Sequence, residues 1–255
     1  MINILNGDKE SNFLVICDHA SNVIPQEYNN LGLCESVLET HIAYDIGAKE
    51  VAIGLADILD CPLIMPDFSR LLIDPNRGTE DPTLIMKISD GHIIEGNRNI
   101  SFVKDCEDKK ERIKNFYDPY HSSISKIVKR LEGQNILPSI ISIHSFTPEW
   151  KGKKRKIEMG VLWDKDDRLA KIFLKYYENI LIGDNNPYSG RLKNDTLYKH
   201  GTRNGLPHVL IELRQDLINS KKNQKLWVEK IYKTLIDNAD KIGLFKRKKY
   251  GSFVG

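Results

Sequence analysis

The sequence predicts an α/β protein, with a mainly parallel or mixed β-sheet covered by helices on both faces. Two observations carry that expectation. Short runs of β-favouring apolar residues, such as "FLVI" (13–16), "SIISI" (139–143) and "HVLI" (208–211), are continuous rather than alternating, as strands buried on both sides must be. These runs alternate along the chain with longer segments of helical period. With no internal repeat, low-complexity stretch or linker, residues 1–255 read as one domain.

In chain order, "FLVICDHAS" (13–21) is a buried strand that ends abruptly in Asp18, His19 and small polar residues. From Glu35 to Asp60, Leu38, Ile42, Ile46, Ile53 and Leu59 follow a helical period. "CPLIMPDFSRLLIDPNRG" (61–78) carries one or two short strands punctuated by proline, and 78–100, rich in Gly, Asp and Asn, is an irregular excursion. Residues 105–132 are helical, with Pro119 shaping the start or a kink, and the strand at 139–144 follows. "EMGVLWD" (158–164) is a strand, 166–180 a helix with Asp166 near its N-terminus, 207–216 a strand, and 220–240 a closing amphipathic helix.

Composition excludes several classes. Charged residues make up 29% and the formal net charge is only +3, so nothing global demands nucleic acid or an anionic membrane. The basic stretches "KKRK" (153–156) and "KRKKY" (246–250) are local and read as solvated surface or a frayed terminus. The four cysteines, Cys17, Cys34, Cys61 and Cys106, form no C-x-x-C pair, against a cysteine zinc site or a disulfide framework. No apolar run is long enough for a membrane span and the first residues lack signal-peptide character, so a cytoplasmic protein is expected.

Three expected strands deliver polar side chains at or past their C-terminal ends: His19 after Leu14–Ile16, His144 after Ile140–Ile141, and Glu212 with Arg214 after Val209–Ile211. That edge is where open α/β sheets bind ligands. Two histidines and a carboxylate there suit a catalytic zinc site, which needs three protein ligands and one open position. A strand-end histidine also has a fixed direction, as a metal ligand requires. No H-E-x-x-H helix is present. His41 and Asp45, spaced i,i+4, would share a helix face and point at one spot. Glu212 is the candidate general base for activating a water, unless it and Arg214 simply pair along their strand. Arg70 and Arg77 in "SRLLIDPNRG" offer planar forks for a carboxylate, and Asp74 and Asn76 are residues that hold such an arginine in place.

"VICDHASNVIP", "HIAYDIGA", "SRLLIDPNRG", "DGHIIEGN", "PYHSSI", "IHSFTP", "GDNNPYSG" and "GLPHVLIELRQDLI" occur in this order over most of the chain. In that series the chain resembles the N-formylglutamate amidohydrolase family, itself similar to the zinc carboxypeptidases and aspartoacylases. The resemblance implies a three-layer α/β/α fold around a mixed, roughly eight-stranded sheet. It also implies Zn²⁺ as cofactor, with His144 as the late ligand, His19 as the early one and Glu212 as the catalytic glutamate. Those relatives use H-x-x-E where this chain has His19-Ala-Ser-Asn22, so the carboxylate ligand comes from elsewhere. Asp45 is the choice, with Asn22 and His41 as alternatives. The implied substrate is a small acidic molecule, bound by Arg70, Arg77 and Arg214 with Asp74 and Asn76 in support; which arginine serves the oxyanion is open. The implied reaction is hydrolysis of the amide of an N-acyl acidic amino acid, N-formyl-L-glutamate above all, to formate and L-glutamate, late in histidine breakdown. Alternatives are a deacylase or carboxypeptidase of the same fold with another small substrate, and a non-catalytic metabolite-binding module. His121, His200 and His208 are expected to support the site rather than act in it, and "NPYSG" (186–190) with Tyr198 to cover it.

Overall fold

The structure, a computed structural model, describes residues 1–103, 105–177, 179–239 and 244–254. Glu178 and Asp240, within two of the expected helices, lie outside the described residues. In chain order the strands are β1 (Ile2–Leu5), β2 (Phe13–Ile16), β3 (Leu63–Pro66), β4 (Ile88–Ser89), β5 (His92–Ile93), β6 (Ser139–Phe146), β7 (Glu149–Trp150), β8 (Lys153–Lys154), β9 (Met159–Leu162), β10 (Ile182–Asp184) and β11 (His208–Arg214). The α-helices are α1 (Glu35–Leu38), α2 (Ala48–Leu59), α3 (Glu107–Arg112), α4 (Asp118–Gly133), α5 (Arg168–Tyr176) and α6 (Lys221–Ile236). A π-helical stretch, Ile113–Tyr117, joins α3 to α4 without a break, and Pro119 follows directly after that junction, as the second residue of α4.

Seven strands form the main sheet in the order β1-β3-β2-β6-β11-β9-β10, against the roughly eight expected. β4–β5 and β7–β8 are separate small hairpins. The neighbours β3, β2, β6 and β11 run parallel, whereas β11 pairs antiparallel with β9 and β1 antiparallel with β3. The central strands are buried along nearly their whole length, and successive side chains feed opposite faces. Val15, Ile141, Ile143, Val209 and Ile211 pack in a core with residues of α2, α5 and α6. Leu14, Ile16, Ile140 and Leu210 pack in another with residues of α4. The result is the expected three-layer mixed α/β architecture. Among the described residues no helix is long and apolar enough to cross a membrane.

The expected helix from Glu35 to Asp60 is two helices with turns between them. Gly47 is the reason: its φ of 79° is left-handed, and a Cβ there would stand 2.8 Å from the Ile218 carbonyl oxygen. His41 and Asp45 therefore do not share a helical face; both lie in the turns before α2. Asp45 is fixed instead by its backbone N–H, which donates to the His19 carbonyl at 2.9 Å. The C-terminal stretch is not frayed. Leu244 is fully buried, the Lys248 N–H donates to Gly205, and Arg247 pairs with Glu132.

Candidate active site

The parallel register builds the site. β2, β6 and β11 are adjacent, and Glu212 is the Cα partner of His144. His144 shares a face of β6 with Ile140 and Ser142, so it stands at the C-terminal edge of the sheet, on the α4 side. His19 follows β2 in the loop, and its ring meets that of His144 edge-on, with centroids 4.8 Å apart. On the other side of Glu212 the Cα partner is Gly160 of β9, where any Cβ would crowd the Asn186 carbonyl oxygen at 2.8 Å and the Glu212 Cβ at 3.2 Å. Glycine gives that glutamate its room.

The hydrogen bonds sort the two histidines into an inner and an outer side. The Nδ1 atoms of His144 and His19 both face Asp45 Oδ2, at 2.8 Å and 3.3 Å. On the outer side, His144 Nε2 bonds Asp18 Oδ2 at 2.9 Å and His19 Nε2 bonds Asp74 Oδ1 at 2.8 Å. All five residues are buried. The donor atoms of His19, Asp45 and His144 lie within 4.8 Å of one another and could hold a metal ion. Two imidazole nitrogens and a carboxylate suit zinc, and the outer carboxylates hold each ring in the orientation that turns Nδ1 inward. The donor set fits the group the sequence implied.

The outer carboxylates are held in turn. Asp18 also accepts from Tyr120 and Thr196 on Oδ1 and from Ser142 on Oδ2. Burial pushes its carboxyl pKa up, but the hydrogen bond and charge of His144, with His19 and Thr196, hold it well below the usual range. Burial likewise opposes ionisation of Asp74, yet His19 and Arg70 hold it ionised. For His144, burial favours the neutral ring, but the hydrogen bonds to Asp18 and Asp45 outweigh it and lift the pKa to about 10. Glu212 differs. Burial raises it to about 7 against the opposing charge of His144, and its Oε2 is buried with no hydrogen-bond partner.

A cavity of about 380 Å³ opens onto these groups, lined among others by His19, Asp45, His144, Glu212, Arg70 and Arg77. Arg70 donates to Asp74 Oδ2 at 2.8 Å and approaches Asp45 Oδ1 at 3.5 Å; its Nε is buried without a partner. Arg77 donates to Thr83 and to the Asn76 carbonyl, while Asn76 accepts from the Thr196 N–H. Arg214 does not join them. Its guanidinium is taken by Asp216 and by the carbonyls of Arg155, Lys156 and Ile157, and it does not line the cavity. Strand alternation put it on Glu212's face, but that position lies past the last pair with β9, over a loop rich in carbonyls.

Of the alternative ligands, Asn22 turns away to the Leu38 carbonyl and Glu39. His41 lines the cavity and lies 3.4 Å from Asp90, outside the metal-capable cluster. His121 and His200 stack on each other beside Pro75 and are kept neutral, chiefly by burial. His208 bonds Thr202 and the Leu206 carbonyl and lines the cavity, closer to the site than expected. Tyr188, Ser189, Gly190 and Tyr198 line it too, from the segment expected to cover the pocket. Asp18 was the missed residue. Its position beside His19 in "CDHAS" was the available signal; its contact with His144, 126 residues away, had none.

A family model described as N-formylglutamate amidohydrolase matches residues 11–219. Among solved structures, a gene product of Agrobacterium tumefaciens is similar at 32% identity and a TM-score of 0.89, over 94% of this chain and 95% of that one. An N-formylglutamate amidohydrolase from Ralstonia eutropha JMP134 shares the fold at 16% identity and a TM-score of 0.58, over 94% of this chain and 97% of its own. No curated protein matches the chain.

Proposed function

The chain belongs to the N-formylglutamate amidohydrolase family, and from that premise we propose that it is a zinc-dependent enzyme hydrolysing the amide of an N-acyl acidic amino acid, N-formyl-L-glutamate above all. The observation that carries this reading is the pairing of an inward-facing His19–Asp45–His144 donor set with an unpartnered, buried Glu212 on the neighbouring strand. A sensor of acidic metabolites would need the arginines but has no use for that glutamate. A bound Zn²⁺ would polarise the amide carbonyl and acidify an attacking water.

The remaining steps belong to the chain's own side chains. Glu212, poised near neutrality by burial, takes a proton from the attacking water and delivers it to the departing amine nitrogen. Its Oε2 has no competing donor, so its basicity is not spent on a structural bond. Arg77 supplies a cationic fork for the substrate carboxylate at the cavity wall. Arg70, braced by Asp74 and Asp45 with its Nε unengaged, is placed to stabilise negative charge developing on the amide oxygen. Asp18 and Asp74 keep both imidazoles in one orientation throughout. The substrate is a small molecule, and we place the reaction in the cytoplasm, late in histidine breakdown.

The test is formate release from N-formyl-L-glutamate by the zinc-loaded protein, beside Glu212→Gln and a chelated sample. We expect both controls to lose at least ~100-fold, about 2.7 kcal/mol of transition-state stabilisation. Stoichiometric zinc binding without formate release would keep the metal and sink the substrate. Turnover surviving chelation would sink the metal.

A further inference from the structure

Two residues past His144 on β6 comes Phe146, on the same face by strand alternation and ~7 Å further along. Both line the cavity, and so does Thr147. The chain then turns through the β7–β8 hairpin and returns with Arg155, whose backbone N–H donates to the Pro148 carbonyl at 2.8 Å. In sequence, 153–156 reads as solvated surface. Lys153, Lys154 and Lys156 are exposed as expected, but Arg155 is half-buried.

Aromatic rings, not a carboxylate, hold Arg155. Its guanidinium carbon lies 5.5 Å from the ring centroids of Phe146 and Trp150 and 5.3 Å from that of Tyr188. Its Nη1 donates to the Tyr188 hydroxyl at 3.1 Å and approaches the Thr147 carbonyl at 3.5 Å. Phe146, Thr147 and Tyr188 all line the cavity, so these contacts fix the guanidinium at its rim. Among the described residues no carboxylate pairs with Arg155, and its Nε and Nη2 have no hydrogen-bond partner and are open to solvent. By contrast, Arg70 is compensated by Asp74 and Asp45, and Arg214 by Asp216. The Arg155 charge also reaches the cavity wall. The His41 pKa is lowered, first by burial, and Arg70 and Arg155 add to that against Asp90. Nε and Nη2 form one edge of the guanidinium, so the free edge is a fork suited to a carboxylate.

We propose that Arg155 binds the side-chain carboxylate of the acidic substrate and so sets the preference for an amino acid with two carboxylates. The inference rests on the amide hydrolysis proposed above and adds a specificity-determining residue to it. Distance favours the side-chain carboxylate over the α-carboxylate. In an extended N-formylglutamate the α-carboxylate carbon stands ~4 Å from the formyl carbon and the side-chain carboxylate carbon ~6 Å. The longer span is the one comparable with the ~7 Å step from His144, beside the reacting carbon, to Phe146, against which Arg155 lies. Arg77 is left for the α-carboxylate. Arg214, turned away from the cavity, contributes at one remove: its Nη1 donates to the carbonyls of Arg155, Lys156 and Ile157, anchoring the segment that presents Arg155.

The experiment compares kcat/KM for N-formyl-L-glutamate and N-formyl-L-glutamine, in which an amide of the same shape replaces the side-chain carboxylate, on zinc-loaded wild type and Arg155→Gln. We expect the variant to lose about 10- to 100-fold on the glutamate substrate and less than about threefold on the glutamine one. Arg155→Lys keeps the charge but not the fork; it should lose about three- to tenfold on the glutamate substrate alone, and it carries the test if Arg155→Gln fails to fold. Equal losses on both substrates, or no loss, overturn the proposal and leave the reaction standing, with Arg155 serving only to hold the hairpin. If the wild type hydrolyses neither substrate, the reaction has failed, and calorimetric titration of L-glutamate and L-glutamine into the same proteins still decides the site. Preferential L-glutamate binding that is lost in the Arg155 variant supports it, and equal or absent binding overturns it.

Discussion

The two histidines and the unpartnered carboxylate of the cavity make an instructive contrast. Each nitrogen of His19 and His144 faces a carboxylate, and Asp18, behind His144, satisfies four side chains at once. Glu212, lining the same cavity, keeps one buried oxygen without a partner. A buried polar group left unpaired costs about 1–3 kcal/mol, so such atoms persist where something arrives to use them. The paired groups hold geometry and the unpaired one holds chemistry. Substitutions should therefore fail differently at the two kinds of position.

The largest effect outside catalysis itself is expected from Asp18→Asn. It removes the charge behind His144 while keeping shape, and should weaken zinc affinity by about 10- to 100-fold, read by competition with a chromophoric chelator. Unchanged affinity would mean that Asp18 merely satisfies Tyr120, Ser142 and Thr196. Glu212→Gln tests the opposite side of the contrast. Because burial raises the folded pKa of Glu212 to about 7, the stability it allows is present below its ordinary value of 4.5 and is lost as pH rises through 7. Metal-free Glu212→Gln should thus be more stable than metal-free wild type at pH 8, by of order 1–3 kcal/mol, and the gap should close at pH 4. Denaturant melts at the two pH values read it directly; a gap of equal size at both would refute the assignment.

How much of this was legible follows from the range of the interactions. The strands that carry His19, His144 and Glu212 declare themselves as continuous apolar runs ending in polar side chains, because local burial dictates composition. Asp45 lies with His19 and His144, but not for the local reason that its spacing from His41 suggests. It reaches them through a turn pinned to the His19 carbonyl, not through a helical repeat with His41. Tertiary constraint at Gly47 overrode the periodicity that Leu38, Ile42, Ile46 and Ile53 display. Arg214 failed because strand alternation gives a side chain's face but not its partner, and carbonyls 155–157 claimed it. β10 is a three-residue strand containing a glycine, below what a pattern can signal. The C-terminal stretch looked like a charged tail since its anchors are backbone groups, Lys248 on Gly205 and Phe253 on Asp164, which composition does not record.

The smallest expected signal probes how the paired side is held without metal. His144 sits between two buried carboxylates, with Nδ1 on Asp45 and Nε2 on Asp18, and an ionised carboxylate at each end can only accept. The ring is therefore an imidazolium at neutral pH, which is why its pKa stands near 10 despite burial. A metal ion at Nδ1 needs the lone pair that this proton occupies, so binding must expel it. Titrating zinc into the protein at pH 8 in two buffers of different ionisation enthalpy should show about one proton released per ion. Raising the pH from 8 toward 10 should shrink the release as the imidazolium loses its proton. Asp18→Asn, by removing one of the two carboxylates, should bring that crossover to lower pH, separating the charge behind the ring from its geometry. Zero protons released at pH 8 would mean that neither His144 Nδ1 nor Asp45 carries a proton that zinc displaces, and that the ring is already neutral in the metal-free protein.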